Sequence, residues 1–206
     1  MGMKRYEDLN LQELDVMREI SSIGTSHAAT ALSKLLGQET RITIPTVSIL
    51  DYEEAAGRIG DQEQVVTAAL VQMGGDIEGL MLFLFDLDFA NEVLGRLLGQ
   101  TWESFLEMDE MAASALKEVG NIIISSYVNA FSKLVDVDVK LSVPSTATNM
   151  LGAILMVPIA EYGYETDKLM YCNADFIIGG RTFSDWLLML PDIRSLNGIL
   201  ERLGVN

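Results

Sequence analysis

Cysteine and histidine are almost missing from this chain: Cys172 and His27 are the only examples among its 206 residues. One thiol makes neither an internal disulfide nor a structural zinc site. A Ser–His–Asp arrangement could be built only around His27. Positive charge is also scarce. Fourteen Lys and Arg against 30 Asp and Glu leave a net charge of −16, which argues against nucleic acid or an anionic membrane as the main partner. The same charge suits a protein partner with a basic patch, or simply a solubilising surface. No DxDxDG calcium loop, GxxxxGK[ST] loop or HExxH pair occurs. Gly74-Gly75 and Gly179-Gly180 are too short to cradle a phosphate and read as turns between strands. The expectation is a site with no metal and no cofactor of its own. The longest strongly apolar run, Leu80 to Phe85, is too short to span a bilayer. The opening MGMKRYEDLN has no apolar core behind its basic residues, so it does not read as a signal peptide. A cytoplasmic location is expected.

What the chain does have is apolar content, 49% of its residues against 21% charged, the balance of an ordered globular protein with a substantial core. One domain over residues 1–206 is expected. Asn10 reads as the N-cap of a helix to Leu36, stopped by Gly37. Thr40 to Leu50 alternates and is β-branched, with Pro45 demoting it to an edge strand or bulge. Asp51 to Gln64 reads as an acidic connector. Val65 to Met73 and Ile77 to Phe85 read as strands around a Gly74-Gly75 turn, and Asp86 to Leu98 as an amphipathic helix closed by Gly99. A second long helix is expected from Asp109 to about Leu134. Then come a strand from Val137 to Ser145, a helix from Thr148 to Glu161 that Pro158 should end or kink, strands at Lys168–Ile178 and Phe183–Leu190, and a closing helix from Asp192 to Leu203.

This order repeats itself. Asp15 and Ser114, Glu19 and Glu118, Ser22 and Asn121, and Pro45 and Pro144 each lie 99 positions apart. Later landmarks drift by a few residues: the glycine pairs lie 105 apart, and the words beginning at Asn91 and Asn197 lie 106 apart. Two copies do not make a solenoid. They imply an α+β protein of two αβββα halves, about 10–100 and 107–206, related by a pseudo-twofold, with long helices packed on an antiparallel sheet.

Ser114, Glu118 and Asn121 fall on one helical face, as do Asp15, Glu19 and Ser22. Such a triplet is either a solvated edge or a seat of chemistry, and spacing alone leaves both open. Gly24 and Gly120 lie inside the helices beside the triplets, at a cost of about 1 kcal/mol relative to alanine. Close approach of a neighbouring element or of a partner would account for them. His27 and Cys172 read as surface or packing residues, and the eleven methionines as core filler.

The pattern [DS]-x3-E-x2-N, then 22 residues and a proline, resembles the signature of the CheC/CheX/FliY chemotaxis phosphatases. Ser114, Glu118, Asn121 and Pro144 match it fully. Asp15, Glu19 and Pro45 match it in the first half, where Ser22 replaces the asparagine. EISSIGTSHAATALSKLLG, SALKEVGNI and GDIEG (Gly75 to Gly79) carry the same likeness, which runs from about Leu11 to Gly204 and is nearest CheC. The resemblance implies hydrolysis of the aspartyl phosphate of the response regulator CheY. It implies that Glu118 docks on the receiver's active-site lysine and that Asn121 positions the attacking water, with Ser114 and Pro144 in support. Mg2+ would belong to the receiver. The Asp15/Glu19/Ser22/Pro45 site is expected to be weak or silent. The family's link to the receptor deamidase CheD would fall on Thr148 to Val157, at Asn149 and Met150. An adaptor for CheY or CheD without hydrolysis is the competing reading, and a monomer is expected.

Overall fold

Helix starts in this chain are written in side chains, and the structure uses them. The Asn10 side chain accepts hydrogen bonds from the Gln12 and Glu13 amides, while the Glu13 carboxylate accepts one from the Asn10 amide, closing a capping box. The α-helix α1 (Leu11–Leu36) then runs to Gly37, whose left-handed backbone ends it. Asp109 caps α4 (Glu110–Val135) in the same way through the Ala112 amide, and left-handed Asp136 closes it. These belong to a computed structural model describing residues 4–162 and 168–205. The remaining elements are β1 (Thr40–Ile42), β2 (Thr46–Asp51), α2 (Tyr52–Ile59), β3 (Val65–Gly75), β4 (Gly79–Phe85), α3 (Leu87–Leu98), β5 (Val139–Leu141), β6 (Ser145–Met150), α5 (Leu151–Tyr162), β7 (Lys168–Ile178), β8 (Arg181–Pro191) and α6 (Ile193–Arg202).

Each half therefore reads αββαββα rather than αβββα. The acidic stretch Asp51–Gln64 is not a plain connector. Asp51 caps α2 through the Glu54 amide, and Ala55, Ala56 and Ile59 bury one face of that helix. A helix this short has weak periodicity, and its many charges masked it. Thr40–Leu50 and Val137–Ser145 each split in two before their proline, because proline offers no amide to continue the ladder. Gly74 and Gly75 are not the hairpin turn but the end of β3, and the turn is Asp76–Glu78. Thr148–Met150 extends β6 instead of opening a helix. Helix α5 continues past Pro158, which is buried on the same face as Leu151, Ile154 and Leu155. Packing of that face holds a helix that local preference would have ended.

The eight strands form one antiparallel sheet, ordered β1/β2, β7, β8, β4, β3, β5/β6. Exchanging the two halves maps this order onto itself, with the pseudo-twofold between β4 and β8. The short edge strands of each half pair with the long strand of the other half: β1 and β2 with β7, β5 and β6 with β3. Central β4 is buried throughout. Met81, Phe83 and Phe85 enter a core beneath α1, α3, α4 and α6, while Leu80, Leu82 and Leu84 enter a second core beneath α2 and α5. That two-sided burial explains the uninterrupted apolar run Leu80–Phe85.

Candidate functional site

The two triplet-bearing helices lie side by side on one face of the sheet, joined by buried contacts. The Ser21 and Tyr127 hydroxyls are hydrogen-bonded at 3.0 Å. Gly24 faces the Tyr127 ring, where an added Cβ would lie 2.4 Å from the nearest ring atom. At Gly120 the same atom would lie 2.4 Å from the Ala69 Cβ on β3. The first glycine lets helix meet helix, and the second lets helix meet sheet. Both serve packing behind the triplets, so their place in the motif is to fix where α1 and α4 sit.

On α4, Ser114 and Glu118 are exposed and Asn121 is half-buried. Neither the Glu118 carboxylate nor the Asn121 amide has a hydrogen-bond or ion-pair partner among the described residues. An acceptor-only carboxylate and a group with both donor and acceptor thus stand one turn apart, open to another molecule. On α1, Asp15 and Glu19 are exposed and Ser22 is half-buried. This triplet lines an open groove of about 420 Å3 together with Gln12, Val16, Arg18 and Ile44. Asp15 is engaged, with Arg18 at 3.0 Å, whereas Glu19 has no partner among the described residues. Spacing had not singled out Gln12, Arg18 or Ile44. Their signal is the 99-residue offset, which pairs Ile44 with Val143 beside the repeated prolines.

The prolines immediately precede the edge strands β2 and β6. Pro45 is buried and Pro144 half-buried. Just before each, a hydroxyl residue brackets the neighbouring long strand. Thr43 donates its amide to the Asp175 carbonyl at 3.0 Å and accepts the Asp175 amide on its Oγ1 at 2.9 Å. Ser142 does the same with Gln72, at 2.9 and 3.0 Å. Asn149 and Met150 sit at the exposed end of β6, where the Asn149 side chain accepts the Met150 amide. They lie outside the two triplets. Among the described residues no cluster of His, Cys, Asp and Glu is placed to hold a metal ion, and no helix is long and apolar enough to cross a membrane. His27 is exposed and Cys172 buried. Burial raises the Cys172 thiol to about 11, against a smaller lowering by Ser21, and pushes the Tyr127 phenol far up as well.

Known proteins resemble this chain in sequence and in fold. The sequence model of the family "Chemotaxis phosphatase CheX" matches residues 67–157. The CheY-P phosphatase CheC of Bacillus subtilis is 25% identical over 208 aligned positions, covering 99% of this chain and 100% of that protein. The crystal structure of Thermotoga maritima FliY superposes with a TM-score of 0.74 at 22% identity, over 96% of this chain and 99% of that one. A chain of the CheX–CheY–BeF3–Mg2+ complex from Borrelia burgdorferi superposes with a TM-score of 0.53 at 18% identity, over 82% of this chain and 95% of that one. The fold of this chain is thus shared with FliY over nearly all of both chains. This chain is therefore similar to the CheC/CheX/FliY chemotaxis phosphatases, and its likeness to CheC runs the full length of both proteins.

Proposed function

We propose that the protein hydrolyses the aspartyl phosphate of a CheY-type receiver at the Ser114/Glu118/Asn121/Pro144 site. The observation that carries this reading is the unpartnered pair Glu118 and Asn121 one turn apart on exposed α4, in a chain aligned end to end with a CheY-P phosphatase. The receiver brings Mg2+ and a lysine to its own phosphate, so the missing component is an oriented nucleophile. Asn121 holds water in line with phosphorus, one side-chain atom accepting and another donating. Water oxygen bonds to phosphorus, the bond to the acyl oxygen breaks, and the products are inorganic phosphate and the receiver's free aspartate carboxylate. Because the transition state is loose, positioning and electrostatics supply most of the rate. Glu118 docks on the receiver's lysine, while Ser114 and Pro144 shape the surface.

Asn121→Ala should slow receiver dephosphorylation on the order of 100-fold. Retention of full activity would end the assignment. Glu118→Ala should weaken the reaction far more than Glu19→Ala, since Ser22 reaches less far into the first groove than an asparagine would. A second reading, an adaptor that binds CheY or CheD without hydrolysis, is favoured by that serine and by exposed Met150. Capture of phosphorylated receiver with no faster phosphate loss would select it.

A further inference from the structure

Ile44 is 80% exposed and Val143 is 82% exposed, yet both stand in segments framed on each side. The preceding residue is tied to a long strand by two hydrogen bonds, Thr43 to Asp175 and Ser142 to Gln72. The following residue is Pro45 or Pro144, with its backbone φ fixed by the ring. A single exposed aliphatic residue is ordinary. Two at equivalent positions, each held outward between a hydroxyl bracket and a proline, and one of them lining the Asp15/Glu19/Ser22 groove, are a repeated device. Their edge strands otherwise give them nothing to pack on.

Resting on the receiver-phosphatase reading, we propose that Val143, and Ile44 in the first half, are specificity-determining pegs that seat in an apolar depression of the receiver beside its phosphorylated aspartate. The carboxylate alone would attract any basic protein to a chain of net charge −16, because long-range charge steers encounter more than it selects. A pre-positioned aliphatic group in the same groove as a triplet carboxylate, as Ile44 is with Glu19 and as the 99-residue repeat assigns to Val143 with Glu118, adds short-range selection. It requires a partner surface with a cation and an apolar hollow at a fixed separation. Rigid framing lowers the ordering cost of binding and makes the peg a centre of binding energy. The peg touches neither water nor phosphorus, so its effect belongs to binding rather than to the chemical step.

The test is steady-state dephosphorylation of phosphorylated receiver by Val143→Asp, by the milder Val143→Ser, and by Gly57→Asp as a control on exposed α2 at the opposite sheet face, where an added side chain meets nothing within 4 Å. Val143→Asp should raise KM about tenfold or more while leaving kcat within about twofold. Val143→Ser should act in the same direction, and Gly57→Asp should leave both constants unchanged. Far-UV circular dichroism and a thermal melt confirm folding of each variant, and Val143→Ser decides if Val143→Asp does not fold. An unchanged KM in a folded Val143 variant, a loss confined to kcat, or an equal KM change in Gly57→Asp would overturn the peg. Wild-type protein that leaves receiver phosphate untouched would instead overturn the phosphatase reading itself, so the two failures separate cleanly.

Discussion

Ser22 is where the halves part chemically, and that difference can be reversed. It half-lines an open groove, so an asparagine has room there. In an Asn121→Ala background, Ser22→Asn should recover receiver dephosphorylation to at least about tenfold above the Asn121→Ala parent. Phosphate release measured on that pair checks it, and no recovery would mean that Arg18 or Asp15 also disables the first site. Buried hydroxyl and thiol groups at Tyr127 and Cys172 give a second expectation. Burial raises both above their ordinary values, Cys172 to about 11 from 9.0. A group whose folded pKa is raised contributes stability that is complete below its unfolded pKa. That contribution is lost as pH climbs through the folded value. Urea midpoints should therefore fall between about pH 9 and 11, and Cys172→Ala should flatten the decline relative to its own neutral-pH midpoint. Glu19 and Glu118 stood out as candidates in the sequence because a fixed offset repeats them, and Asn121 because that offset sets it against Ser22. Ile44 and Val143 did not, because an aliphatic residue in an alternating strand looks like core until its exposure is measured.

At the scale of the element, the long helices were legible almost to the residue, because Asn10, Gly37 and Asp109 are strong local signals. What escaped was decided by tertiary packing. Helix α2 exists because three small or aliphatic residues meet the second core. Helix α5 survives Pro158 because that residue is buried on its packed face. Strand β3 takes in its two glycines because β5 pairs alongside them. Gly120 yields a sharp expectation of the same kind. In an open helix, replacing glycine by alanine stabilises by roughly 0.5–1 kcal/mol. Here the new methyl meets the Ala69 Cβ on a central strand that cannot give way. Gly120→Ala should destabilise by roughly 1–3 kcal/mol, seen as a lower urea midpoint. It should also blunt activity, since α4 carries Glu118 and Asn121.

For the whole molecule, the interlacing of edge strands governs behaviour. A fragment of residues 1–106 leaves β3 without β5 and β6, and β4 without β8. Its complement leaves β7 without β1 and β2. Unpaired strand edges and half-covered cores do not sustain a cooperative fold. Each fragment alone should show no cooperative melt as a monomer, whereas co-refolding the two should restore one. Calorimetry with sedimentation of each preparation checks this. The repeat itself was visible in the sequence, but the exchange of edges was not. Spacing reveals that two segments are alike and says nothing about which of them pair.

That exchange also bears on how such a protein can change over generations. When a duplicated unit can be excised, a copy that loses its chemistry is free to disappear. In this fold the first half supplies the outer strands β1 and β2 that close β7, whatever Ser22 does. Inheritance of the half with the complete motif therefore carries the substituted half with it. The groove beside Ser22 is kept in shape by the strands that β7 needs, so its form is conserved independently of any turnover there.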